Sequence, residues 1–213
     1  MINILIADDH AIVREGLKQI VAEEKDMCVS AEAKDGTELL EILRVKKNNF
    51  SIIILDINMP GKNGLEVLKD LKSFYPDLPV LILSMFSEEQ YGLRAIKAGA
   101  DGYLKKVSAP GELVIAIRKI VSGKKYINEV LAAKLAIDIT HKSKPLPHEA
   151  LSDREFQIMC MIAAGKSAEE ISEELSISIH TVYSYRNRVF EKVNLKSNVE
   201  LTQYVIQNKL IDF

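Results

Sequence analysis

Five times within the first 122 residues a short apolar run is followed by a longer segment of helical spacing, and no other feature of the 213-residue chain restricts its fold as strongly. The runs are Ile4-Leu5-Ile6, Cys28-Val29, Ile52-Ile53-Ile54-Leu55, Val80-Leu81-Ile82-Leu83 and Tyr103-Leu104. Successive strand side chains point to opposite faces, so an unbroken apolar run is buried on both, as in a parallel sheet covered by helices. The segments 11–24, 37–47, 65–74, 88–98 and 110–122 place apolar residues three and four apart, as with Leu113, Ile117 and Ile120. Strict alternation of this kind predicts an α/β domain built as a doubly wound (βα)5 sheet, in which chemistry collects at the carboxyl ends of the strands.

The remainder reads differently. Gly123-Lys124-Lys125 closes the fifth helix, 129–139 reads as one more, and 141–147, with two prolines and no period, reads as a linker. Beyond it Ser152-Asp153-Arg154-Glu155 is a capping box, and Gly165 is a helix stop. Ser167 with Glu170 opens a second helix over 168–175, a third runs from about His180 to Val193, and a fourth covers 199–207. The expected organisation is a domain over 1–122, a connecting segment with a helix over 123–147, and an all-α four-helix domain over 148–213.

Charge has to be read locally, because a net of −2 is not the basic balance usual for nucleic-acid binding. From His148 onward seven Lys or Arg face ten Asp or Glu, yet residues 179–198 hold four basic side chains against Glu191 alone. Helix, tight turn and helix, with positive charge on the second member, is a DNA-binding geometry. The four Glu of 168–175 are expected to form an ordinary solvated face. The apolar start Ile2 to Ala7 ends at Asp8 and Asp9 without a basic lead, unlike a secretion signal or a membrane span, so a cytoplasmic location with no membrane partner is expected. Cys28 and Cys160 sit in apolar surroundings without metal-ligand spacing, which predicts buried, reduced thiols.

The sheet would gather Asp8 and Asp9, after the first strand, with Asp56, which ends the third. Like charges that close repel unless a cation joins them, and oxygen ligands with room for water suit Mg²⁺. Ser84 ends the fourth strand, and Lys105 and Lys106 the fifth, adding a hydroxyl and a cation to the same rim. Each acid alone would read as a cap or turn residue; together they form an inventory for phosphoryl transfer. His10, at the mouth of the first helix, is expected to be incidental.

Asp8-Asp9, Leu55-Asp56-Ile57-Asn58-Met59-Pro60-Gly61, Ser84 and Ala98-Gly99-Ala100-Asp101-Gly102-Tyr103-Leu104-Lys105-Lys106 resemble the receiver domain of response regulators over roughly 1–122. The resemblance implies a flavodoxin-like (βα)5 receiver in which Asp56 is the phosphoacceptor for a sensor histidine kinase. It also implies that Asp8, Asp9, Asp56 and the carbonyl of Asn58 place Mg²⁺, that Lys106 rather than Lys105 is the family lysine, and that Ser84 and Tyr103 form the switch. Ala11, and Val107-Ser108, depart from the family pattern without removing a chemical group.

The segments Leu151 to Glu155, Ala164 to Ser167, Glu170-Ile171-Ser172, Leu175 to Ser178, His180-Thr181-Val182 and Lys192 to Leu195 resemble the LuxR-type helix-turn-helix domain, so the whole is similar to the NarL/FixJ class. The resemblance implies a helix from near His180 in the major groove and a homodimer on DNA. Val182 and Val189 would face the core. Tyr183, Ser184 and Asn187, on the outer face, would reach bases, and Thr181, Arg188, Lys192 and Lys196 would reach phosphates. Tyr183, Tyr185 and Asn198 stand where the class often has Lys, His and Arg, which predicts weaker and less salt-sensitive binding; both tyrosines could equally pack on a neighbouring helix.

The expectation is a transcription regulator in which phosphorylated Asp56 shifts an existing equilibrium, frees the helix-turn-helix and favours a dimer. One rival keeps the phosphoacceptor but makes the second domain a protein-interaction module that does not read DNA, as its acidic balance allows. Another, an aspartyl-phosphate phosphatase, needs a general acid two residues after Asp56, where Asn58 supplies none. Expected catalysis is limited to self-phosphorylation and self-dephosphorylation.

Overall fold

Five parallel strands, β1 (Ile2–Ala7), β2 (Met27–Ala33), β3 (Ile52–Asp56), β4 (Val80–Ser84) and β5 (Gly102–Lys105), form one sheet in the order β2-β1-β3-β4-β5. The structure, a computed structural model, describes residues 1–46, 49–86, 88–140 and 146–211, and its contacts divide into two units, Met1–Ala132 and Ala133–Phe213. Ile52 to Asp56 and Val80 to Ser84 are buried throughout, as unbroken apolar strands covered on both faces must be. β2, at the sheet edge, is half-buried over much of its length, which corrects the expectation for Cys28. Its thiol is only partly buried and donates to Asn3 Oδ1 at 3.1 Å, whereas Cys160 is buried; neither is in a disulfide.

The covering helices of the first unit are α1 (Ala11–Ala22), α2 (Gly36–Val45), α3 (Gly64–Phe74), α4 (Leu93–Lys97) and α5 (Ala109–Val121). Asp35 caps α2, and Asn63 with Glu66 forms a capping box on α3. The expected helix over 88–98 differs: it opens as a π-helical turn, Glu88–Gly92, and only five residues are α-helical. Within that turn Tyr91 is fully buried and stacks on Phe86 with ring centroids 4.6 Å apart, so side-chain packing overrides the regular period. After Gly123 ends α5 at φ +84, Tyr126 lies along β5, its N–H donating to Asp101 O at 2.9 Å and its carbonyl accepting from Tyr103 N at 3.3 Å. α6 (Glu129–Thr140) begins with Leu131 buried against Gly92, so this segment packs with the first unit as far as Ala132.

Of the expected linker, residues 141–145 lie outside the described residues, and Pro147–Ala150 forms a 3-10 turn. The second unit then holds α7 (Asp153–Ala163), α8 (Ala168–Glu174), α9 (Ile179–Val193) and α10 (Asn198–Gln207). Capping boxes at Ser152/Glu155 and Ser167/Glu170 start α7 and α8, Ser178 caps α9, and left-handed Asn194 at φ +58 ends it. Phe156, Met159, Ile171, Val182, Val189, Leu201 and Val205 are buried and form a small helical core, and α7 is buried along its whole length. Among the described residues no helix is long and apolar enough to cross a membrane.

One glycine ties the first fold to the strand end that carries Asp56. A Cβ at Gly64 would lie 2.0 Å from the Asp56 carbonyl oxygen and 2.8 Å from Ile57 Cα, so the start of α3 must be bare to pack there. Gly64→Ala is therefore expected to cost about 3 kcal/mol or more in urea unfolding and to displace the end of β3; unchanged stability would show that the helix yields freely.

Candidate functional site

The parallel register sets the chemistry at one rim. Ala7 pairs with Leu55, Asp56 with Leu83, and Ser84 with Lys105, so Asp8, Asp9, Asp56, Ser84 and Lys105 all leave the sheet at the same end. Ligand atoms of Asp8, Asp9, His10 and Asp56 lie within 4.8 Å of one another. Asp8 and Asp56 are almost wholly buried, at 1% and 2% exposure, while Asp9 faces outward. Lys106, in the 3-10 turn after β5, places its ammonium 2.7 Å from Asp8 Oδ2 and 2.7 Å from Asp56 Oδ2. Two buried carboxylates thus share one ammonium, and the site keeps an excess of negative charge. That excess and the crowded carboxylate oxygens fit a hard divalent cation such as Mg²⁺.

Burial pushes the Asp56 carboxyl up to about 7; Lys106 opposes this, Asp8 adds to it, and a hydrogen bond from the Asn58 backbone N–H lowers it. For Lys106 burial disfavours the charge, but the carboxylates of Asp56 and Asp8 outweigh it and hold its pKa above the usual lysine value. Ser84 is fully buried and its Oγ accepts from Phe86 N at 3.2 Å. Tyr103 is turned inward, with its hydroxyl donating to Phe86 O at 2.9 Å, so both side chains hold the same turn. Two further side chains join the rim: His10, which the sequence marks as incidental, and Arg14, which it does not single out. The imidazole Nδ1 of His10 lies 2.7 Å from Asp9 Oδ1, and Arg14 donates to the Asp8 carbonyl at 2.7 Å while its Nε reaches Glu32 at 3.0 Å. Arg14 lies near Asp8 in sequence, but Glu32 arrives from β2, so only the fold joins them.

In the second unit Val182 and Val189 are buried, and the opposite face of α9 is open. Tyr183 is 46% exposed, Ser184, Asn187 and Arg188 are exposed, and Thr181 is half-buried with its hydroxyl 2.8 Å from that of Ser178. Ser184 donates to His180 O at 2.9 Å, and the Arg188 guanidinium lies 5.7 Å from the Tyr185 ring centre. His180, Thr181, Ser184, Tyr185 and Arg188 line one shallow concavity. Lys196 is exposed beyond the end of α9. Lys192 stands apart from these: its ammonium lies 2.7 Å from Glu155 Oε2, and Glu155 is buried in the capping box of α7. An unpaired carboxylate there would be costly, so Lys192 serves the fold.

Two family descriptions match the chain, "Response regulator receiver domain" over residues 4–118 and "Bacterial regulatory proteins, luxR family" over 149–205. The chain belongs to the response-regulator family. Among its relatives is the response regulator UvrY of Escherichia coli (strain K12), 38% identical over 211 residues, spanning 99% of this chain and 96% of UvrY. A structure of the Salmonella typhimurium response regulator RcsB, described for its conformational dynamism in DNA interaction, is 26% identical with a TM-score of 0.62 and covers 97% of this chain and 100% of that one. A second RcsB structure, of two dimers bound to two parallel DNAs, is 27% identical with a TM-score of 0.58 and covers 96% of this chain and 98% of that one.

For this response regulator the buried acids give a pH-dependent prediction. The folded Asp56 carboxyl holds its proton to about pH 7, against an ordinary value of 3.8. Between those values the unfolded chain has released a proton that the folded chain keeps, so the contribution of Asp56 to stability falls as pH rises and levels off above about 7. With metal chelated, Asp56→Asn is expected to be more stable than wild type by on the order of 2–4 kcal/mol at pH 8 and to lose that advantage near pH 4, read by urea unfolding. A constant difference would mean that Asp56 ionises freely.

Glu155 has the opposite sign. Burial raises its pKa, but Lys192 and the bonds from Ser152 outweigh this and hold it below the ordinary 4.5. Its stabilisation is therefore present above pH 4.5 and lost as the acid range is entered. Glu155→Gln, which keeps the cap and loses the ion pair, is expected to destabilise the second unit by about 1–2 kcal/mol at pH 7 and by little at pH 3.5; equal loss at both pH values would locate the effect in the cap.

Proposed function

We propose that this response regulator is a phosphorylation-gated, DNA-binding transcription regulator of a two-component system, with domains over 1–122 and 148–213 joined by 123–147. The observation that carries the reading is the sharing of one Lys106 ammonium by the buried carboxylates of Asp8 and Asp56 at the sheet rim. In it Asp56 is the phosphoacceptor for a sensor histidine kinase: the N–P bond of a phosphohistidine breaks as an Asp56 oxygen forms the new P–O bond. Asp8, Asp9, Asp56 and the Asn58 carbonyl would hold Mg²⁺, which when bound neutralises charge on the phosphoryl group. Lys106 balances the carboxylates before transfer and is free to pair with a phosphoryl oxygen afterwards. Ser84 and Tyr103, both tied to Phe86, are placed to register the new group through that turn.

At the other end of the chain α9 enters the major groove, with Tyr183, Ser184 and Asn187 toward bases and Thr181, Arg188 and Lys196 toward phosphates. Two RcsB dimers are described on DNA, which supports a homodimer on DNA here. The reading places the protein in the cytoplasm, with no activity on a separate substrate and catalysis confined to forming and losing its own phosphoaspartate.

Fluorescence anisotropy on duplex DNA and light scattering, on wild type and Asp56→Ala with and without Mg²⁺ and beryllofluoride, test the proposal. Wild type alone is expected to dimerise and bind more tightly on activation. Equal binding in every condition would remove Asp56 as the gate, and no DNA binding in any would favour the protein-interaction reading that the acidic second unit permits.

A further inference from the structure

The second unit carries more acid than base, so the cations that could meet a phosphodiester are those without a carboxylate partner. Lys192 pairs with Glu155 and Lys166 with Glu174. Arg186 differs. Its Nε and Nη2 both donate to the amide oxygen of Asn198, at 3.3 and 3.0 Å, and its guanidinium carbon lies 4.5 Å from the centre of the Phe190 ring. A neutral amide and an aromatic face fix the guanidinium without cancelling its charge, and among the described residues no acid is paired with it. A planar fork held in place loses little freedom on meeting a phosphate.

The guanidinium lines an open groove with Tyr183, Asn198, Lys166 and Ser167, on the side of α9 away from the concavity formed by Thr181, Ser184 and Arg188. The groove is about 280 Å³, ample for one phosphodiester group and too small for a folded partner element. Two acids of α8 beside it already have partners: Glu174 pairs with Lys166, and Glu170 accepts from the backbone N–H of Ser167 at 2.7 Å.

We propose that this groove is a second backbone subsite for duplex DNA, in which Arg186 takes a phosphate that flanks the groove entered by α9. The proposal rests on the reading above that the second unit binds duplex DNA. It makes Asn198 the residue that positions Arg186. Contact with a phosphate carries no base identity, so the subsite contributes to affinity on every sequence alike.

The test uses the full chain, activated with beryllofluoride and Mg²⁺, and a mixed-sequence duplex labelled for anisotropy, with Kd measured across a salt series. Arg186→Gln is expected to weaken binding on all sequences and to lower the slope of log Kd against log salt by about one, while Arg186→Lys keeps most of the slope. Asn198→Asp sets a carboxylate against Arg186 at the start of α10, where a negative charge favours the helix, and is expected to lower affinity and slope without loss of fold. It keeps the proposal testable should Arg186→Gln fail to fold. A wild-type slope in Arg186→Gln, or in Asn198→Asp if that is the variant that folds, overturns this subsite while leaving the DNA-binding reading intact. Absence of binding by the wild-type chain overturns both.

Discussion

The ammonium of Lys106, held 2.7 Å from each of two buried carboxylates, is the contact on which the chemistry of the first unit depends. Asp8 and Asp56 end strands that are neighbours in the sheet, so their separation is set by strand spacing and cannot relax outward into water. One cation between two such anions leaves the site short of positive charge. Burial, with the Asp8 charge adding to it, raises the Asp56 carboxyl and lowers the stability of the metal-free fold, while the charge deficit creates the demand that a divalent ion or a new arrangement of Lys106 would meet.

The surrounding fold holds that arrangement still. Gly64 lets α3 begin against the Asp56 carbonyl, Arg14 joins the Asp8 carbonyl to Glu32 of β2, and the parallel register brings Ser84 and Lys105 to the level of the acids. Ser84 and Tyr103 converge on the turn at Phe86, whose ring packs on Tyr91 in the π-helical stretch. A group added at Asp56 would therefore act on a connected set of side chains. In the second unit α9 divides its charges between tasks: Lys192 steadies the capped start of α7, whereas Arg186 and Arg188 lie on aromatic rings and keep their charge available.

Much of this was legible in the chain. Apolar runs and helical periods mark the five strands and most of the helices, because periodicity is the local imprint of which face is buried. The capping boxes at Ser152 and Ser167 were readable for the same reason: donor and acceptor lie three residues apart. Asp8, Asp9 and Asp56 could be grouped because parallel strands must end their chemistry at one rim. The edge position of β2, which leaves Cys28 half-buried, and the π-helical opening ahead of α4 were not legible, since each follows from what packs against the segment.

The sequence by itself determined the element order, the identity of the acidic and basic groups, and the membership of the chain in its family. Tertiary structure alone decided which charges meet: that Lys106 reaches both acids, that Lys192 is held by Glu155, and that Arg186 is held by an amide instead of an acid. The physical reason is range. Backbone geometry responds to neighbours a few positions away, whereas a charge finds its partner across elements whose separation in sequence carries no information about their distance in space.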